Sequence, residues 1–140
     1  MADTSLSDLL RERGMRVTSQ RLLIDRALRE HGGHLTAEQV HELVEPVLPG
    51  VTQQTVYSTL ALLTELDMAR RVAAPGASAR FEARTDDHHH MVCERCGAIE
   101  DLDVRVPVGR AVGASREHGF EPASASVTVV GLCAACAAVA

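Results

Sequence analysis

The chain has 140 residues and a formal net charge of −5, and 46% of its residues are hydrophobic. That length suits one medium domain or two small ones, and the acidic balance excludes a basic nucleic-acid coat while leaving room for a local arginine face. With no Trp, one Tyr and two Phe, the cores must be built from Leu, Val, Ile and Ala. No charged leader opens the sequence and no apolar run approaches the roughly 20 residues of a membrane helix, so a cytoplasmic protein is expected.

Ser5 caps a short helix running to Arg13, with Leu6, Leu9 and Leu10 on one face and Gly14 ending it. Thr18 or Ser19 caps a second helix through Leu22, Leu23, Ala27 and Leu28, which stops at Gly32 and Gly33. The run TAEQ, Thr36 to Gln39, fits a capping box for a third helix. Its expected buried stripe is Val40, Leu43, Val44 and Val47, with Pro46 and Pro49 closing it. Thr52 caps a fourth helix with Val56, Leu60, Leu63 and Leu66 inward. Two strands, about 70–74 and 78–84, follow around a turn at Pro75 and Gly76. Helices two to four and this hairpin predict a winged helix-turn-helix whose fourth helix is the reader.

The reading helix offers Gln53, Gln54, Thr55, Tyr57 and Ser58, with amide, phenol and hydroxyl groups where a plain solubility face would carry Glu and Arg. Such groups can contact base edges, while Arg16, Arg21 and Arg80 can hold phosphates. The alternative is a packing helix with an exposed polar face.

The pattern changes near Thr85. Residues 88–93 and 97–102 read as strands around a cysteine knuckle, Pro107 to His118 as a weak helix, and Ser124 to Val130 as an alternating strand with Val127 and Val129 on one side. A second knuckle and an Ala-rich tail follow. The fold class is α+β with two domains, the second a small α/β one.

Two C-x-x-C pairs, Cys93/Cys96 and Cys133/Cys136, account for all four cysteines. Each turn presents two thiolates at the bite that tetrahedral zinc needs, and two turns complete a structural site in a domain short of aromatics. A redox dithiol uses the cysteines less economically. Beside the first knuckle stands a triple histidine. On a strand, His88 and His90 share a face that His89 does not. Glu82 and Asp101 can close on that face, and His34 is a candidate from the first half of the chain. Three imidazoles and two carboxylates suit Fe(II) or Mn(II), with Zn(II) able to substitute. The alternatives are a solvated, titrating polar loop, a non-haem metalloenzyme with a two-His-one-carboxylate centre, and a zinc-ribbon interaction module. The enzyme reading lacks an aromatic-lined substrate pocket and a separate acid/base pair. The ribbon leaves His34 and the TVYSTL helix unused.

The order GMRVTSQR, TVYSTL, RFE, HHHMVCERCG and GLCAAC, from about Leu9 to Cys136, closely resembles the ferric uptake regulator family of bacterial metalloregulators. The resemblance implies a homodimeric repressor and not an enzyme: residues 1–84 form a winged-helix DNA-binding domain and residues 85–140 a metal-binding dimerisation domain. It implies structural Zn(II) on Cys93, Cys96, Cys133 and Cys136, and regulatory Fe(II) or Mn(II) on His34, Glu82, His88, His90 and Asp101. Tyr57 takes the place of the family's base-contacting tyrosine and Arg16 that of a basic residue near the minor groove. Some relatives have a third site, matched here by Asp87, His89, Val108 and Ala125; the last two cannot bind metal, so that site is not expected. Asp at position 101 resembles the peroxide-sensing branch, which implies that Fe(II) meets hydrogen peroxide and that His34 or His88 is oxidised. An iron- or zinc-uptake regulator is the alternative within the family.

Overall fold

The computed structural model describes residues 4–73 and 76–139. Ala74 and Pro75, expected in the hairpin, lie outside the described residues. The chain divides into two compact units, one of residues 4–73 with Ser78–Thr85, the other built on residues 86–139.

In the first unit, α1 (Leu6–Glu12) is capped by Ser5, α2 (Ser19–His31) by Thr18, α3 (Ala37–Val44) by Thr36 and α4 (Gln53–Glu65) by Thr52. Each cap side chain accepts a backbone N–H of the first turn, which would otherwise have no partner within the helix. At Thr36 the box is reciprocal, because the Gln39 side chain accepts from the Thr36 N–H at 2.9 Å. Helix α2 ends at Gly32, whose φ of 68° is a left-handed conformation that Gly adopts without steric cost. Val56, Leu60 and Leu63 of α4 join Ile24, Leu28, Val40 and Val44 in one largely aliphatic core that also includes Leu6, Leu10, Leu35 and Phe81.

Two expectations for α3 fail. Leu43 is 41% and Val47 62% exposed, so the buried stripe reduces to Val40 and Val44. The helix is only two turns long and ends at Glu45, before its pattern could place Val47 inward. The wing is β2 (Arg70–Val72) paired antiparallel with β3 (Arg80–Glu82), both shorter than expected. A third strand, β1 (Leu35–Thr36), pairs with the other edge of β3, Leu35 opposite Phe81 and Thr36 opposite Arg80. Two residues carry no readable alternation, so the sequence alone did not disclose β1.

In the second unit, β4 (His89–Cys93) lies between β5 (Ile99–Leu102), antiparallel, and β6 (Thr128–Gly131), parallel. Helix α5 (Gly109–Glu117) connects the two sides, and α6 (Ala134–Ala138) begins directly after Cys133, in the Ala-rich tail to which the sequence assigned no element. Strand β6 starts later than the expected Ser124, although Val127 just before it already accepts the His90 N–H through its carbonyl at 3.1 Å. Among the described residues, no helix is long and apolar enough to cross a membrane.

Candidate metal centres and nucleic-acid face

The parallel pairing of β4 with β6 sets Cys93 opposite Gly131, so the two C-x-x-C turns leave the same end of the sheet. The first knuckle is closed by Cys93 N–H donating to Ala98 O and Gly97 N–H to Cys93 O, with Gly97 at φ 75°. The result is four free thiols whose sulfurs all lie within 4.8 Å of one another. Cys96 Sγ and Cys133 Sγ are 3.8 Å apart. A tetrahedron with zinc–sulfur bonds of about 2.3 Å has edges of about 3.8 Å, so the donor set fits that ion. The backbone N–H groups of Cys96, then Cys133, pull the Cys93 thiol down to about 6, working against its burial. The neighbouring Cys133 side chain, together with burial, pushes Cys136 up to about 12. Four crowded sulfurs cannot all ionise beside one another without a cation among them.

Within the first unit, His34 stands just before β1 and Glu82 ends β3. Their side chains are 6% and 3% exposed and meet with His34 Nε2 2.7 Å from Glu82 Oε2. Within the second unit, His88 Nε2 is 3.2 Å and His90 Nε2 3.6 Å from Asp101 Oδ1, and the two imidazole centroids are 4.4 Å apart. His90 and Asp101 face each other directly across β4 and β5. Donor atoms on one octahedral ion with bonds of about 2.1 Å sit about 3 Å apart, so both groups have ligand-like spacing. His88 Nδ1–H donates to the Asp86 carbonyl at 2.7 Å, which fixes the tautomer with the Nε2 lone pair available for an ion.

The expected division of the histidine triplet holds in the strand. His88 and His90 are buried on the Asp101 side, while His89 Nδ1 accepts the Val127 N–H at 2.9 Å. His89 thus ties β4 to the segment before β6, a structural role the sequence reading did not assign. Neither Val108 nor Ala125 offers a metal donor.

On the reading helix Gln53, Gln54, Tyr57 and Ser58 are exposed. Thr55 gives its N–H to the Thr52 cap and accepts the Thr52 hydroxyl in return, and Ser58 Oγ donates to Thr55 O at 3.1 Å. Arg16 and Arg21 line one cleft with Thr55 and Ser58, where Arg21 Nη1 donates to Arg16 O at 2.6 Å. Arg80 is the third arginine expected to hold a phosphate. It is half-buried, and its Nη1 donates to the His34 carbonyl at 3.4 Å. On its short strand it precedes a buried Phe and a buried Glu.

The family model described as "Ferric uptake regulator family" matches residues 12–130. The chain is 40% identical over 129 residues to ferric uptake regulation protein 1 of Mycolicibacterium fortuitum, covering 91% of this chain and 80% of that one. It is 29% identical to the peroxide-responsive repressor PerR of Staphylococcus epidermidis, covering 91% and 85%. Among solved structures, the ferric uptake regulator of Pseudomonas aeruginosa with manganese superposes with a TM-score of 0.72 at 27% identity, covering 96% and 99%.

Proposed function

This chain belongs to the ferric uptake regulator family, and from that premise we propose that it is a metal-dependent, DNA-binding transcriptional repressor that senses peroxide through Fe(II). Members of the family are transcriptional regulators and not enzymes. Residues 1–84 read the operator in the cytoplasm, and residues 85–140 hold the zinc and join two copies into a homodimer. Structural Zn(II) belongs on Cys93, Cys96, Cys133 and Cys136. Regulatory Fe(II), Mn(II) or substituting Zn(II) belongs on His34, Glu82, His88, His90 and Asp101.

The observation that carries this reading is the division of donors. His34 and Glu82 make a buried pair in one unit, and His88, His90 and Asp101 make a buried trio in the other. Neither set alone fills the six positions of a hard divalent ion. Gripping one ion with both sets fixes the angle between the units, and in a dimer it sets the spacing of the two α4 helices near one turn of duplex, about 34–36 Å. Without that grip the operator-competent arrangement is a fraction of the ensemble, and apparent affinity falls by that fraction. Tyr57, Gln53 and Gln54 face the bases, while Arg16 and Arg21 take phosphates.

Ferrous iron, when bound, would activate hydrogen peroxide toward a ligand imidazole: the ring loses the two electrons that reduce the peroxide, one oxygen enters a ring C–H and the other leaves as water. An imidazole of His34 or His88 that gains one oxygen is a poorer donor, and the hold on the units fails. Asp101 and the peroxide-responsive relative favour this branch. The 40% identity with a protein named for ferric uptake regulation favours the second reading, an iron-uptake regulator.

The test is a gel shift with operator-containing DNA at buffered free Fe(II), Mn(II) and Zn(II). Metal-dependent binding without turnover is expected, and binding indifferent to every metal sinks the repressor reading. Peroxide added to the Fe(II) form should release the DNA and add a single oxygen to a peptide carrying His34 or His88, whereas the Mn(II) form should stay bound. Release without that mass change leaves the repressor and removes this sensing chemistry.

A further inference from the structure

Strand β3 is three residues long, and each of them touches something the proposed switch uses. On one face, Glu82 meets the His34 ring at 2.7 Å and Arg80 holds the His34 carbonyl at 3.4 Å. The segment leaving His34 is locked to the same strand through the Leu35–Phe81 and Thr36–Arg80 pairs. On the opposite face, as strand alternation requires, Phe81 points into the aliphatic core at 3% exposure. There its ring meets Tyr57 of α4 edge-on, with centroids 6.3 Å apart and planes at 88°. Tyr57 is 48% exposed, so this aromatic wall backs a side chain that otherwise projects from the reading helix.

We infer that Phe81 is a positioning residue for Tyr57, and that β3 transmits the ligand state of His34 and Glu82 to the reading helix inside the first unit. The inference rests on the proposed regulator function, and it adds a route that does not require the units to reorient. An ion held by His34 and Glu82 would replace their direct contact and re-space the two side chains. Strand β3 is hydrogen-bonded on both edges, to β1 and to β2, so it shifts as a piece. The Phe81 ring is close-packed and moves with its backbone, and the Tyr57 ring follows the edge it rests on. Arg80 is then a positioning residue for His34.

The sequence supplies its own reporter, because Tyr57 is the single Tyr and there is no Trp. Full-length protein, already zinc-loaded at the four cysteines, is labelled with 3-fluorotyrosine and titrated with further Zn(II) as a diamagnetic occupant of the regulatory ligands. The fluorine resonance is expected to shift in step with metal uptake, and the shift should vanish in His34→Ala. Phe81→Leu should keep metal stoichiometry yet lose most of the shift. It should also weaken metal-saturated operator binding about three- to tenfold, the span of one edge-to-face pair. Leu35→Val, which loosens the same core beside Phe81 but leaves the ring, should keep both shift and affinity; a merely structural role for Phe81 would make the two variants behave alike. If Phe81→Leu does not fold, Phe81→Met is read in the same way. A wild-type resonance that ignores the metal while operator binding remains metal-dependent overturns this inference alone. Loss of metal-dependent operator binding in the wild type overturns it together with the regulator reading.

Discussion

The two units solve the same problem by different means. The first buries an aliphatic core reaching from Leu6 to Phe81, closed by four capped helices. In the second, Val92, Cys93 and Ile99 are the buried hydrophobics among the described residues, and α5 buries none. Val104, Phe120, Val129, Val130 and Leu132 stand 40% or more exposed there. A unit with so little interior needs a staple and a cover. The four thiols are suited to be the first, and the exposed strand β6 and its neighbours suit a second copy of the chain as the other. The first unit has an interior large enough to hold it together, whereas the second has three buried hydrophobics among its described residues and a cluster of four thiols.

The largest expected effect breaks the contrast at the zinc ligands. Structural zinc contributes about 10–16 kcal/mol to small metallo-domains at neutral pH, so Cys133→Ala should abolish zinc retention and the fixed structure of the second unit. Sedimentation should report monomers while the Tyr57 fluorescence emission spectrum, a reporter in the first unit, stays unchanged. A zinc-free dimer would show the contrast to be mistaken. Next, Leu60→Ala opens a cavity in the first core, where Leu60 is 0% exposed, and should cost about 2–5 kcal/mol in urea unfolding. An equal loss of zinc in that variant would mean the units are not energetically separate.

Val129→Arg charges an exposed position on β6. It should leave thermal stability of the first unit intact and weaken dimerisation at least about tenfold, roughly 1.4 kcal/mol, by sedimentation equilibrium. The smallest effect is expected at Asp25, buried on α2, where burial raises the carboxyl above its ordinary value against the opposing pull of Arg29 at 3.1 Å. A raised carboxyl favours the fold below its unfolded value, and that contribution is lost as pH rises through the folded one. Asp25→Asn should therefore gain less than about 1 kcal/mol at neutral pH, and the gain should disappear on acidification, as thermal melts at several pH values would show.

What could be read in advance follows the range of the physics involved. Caps at Thr18, Thr36 and Thr52 depend on residues three apart, and all three form. The alternation of His88, His89 and His90 is equally local, and so is the bite of each C-x-x-C turn. Contacts made by distant residues left no such trace. The two-residue β1 exists because β3 arrives beside it, and Arg80 turns inward because the His34 carbonyl is there to receive it. His89 was set apart from the ligand face by alternation, but nothing local showed that the Val127 N–H would claim its ring. Leu43 and Val47 have the right period for a core but lie where α3 has run out of neighbours.

The parallel alignment of β4 with β6 also imposes an order in time. A ribosome completes Cys96 and must add 37 further residues before Cys133 exists. The winged-helix portion is by then already made and free to collapse on itself as it emerges, while the later portion waits with unpaired thiolates. Closure of the four-thiol cluster is thereby the last step to become available on synthesis: a nascent chain interrupted before its closing knuckle would have a complete first unit and only half of the cluster.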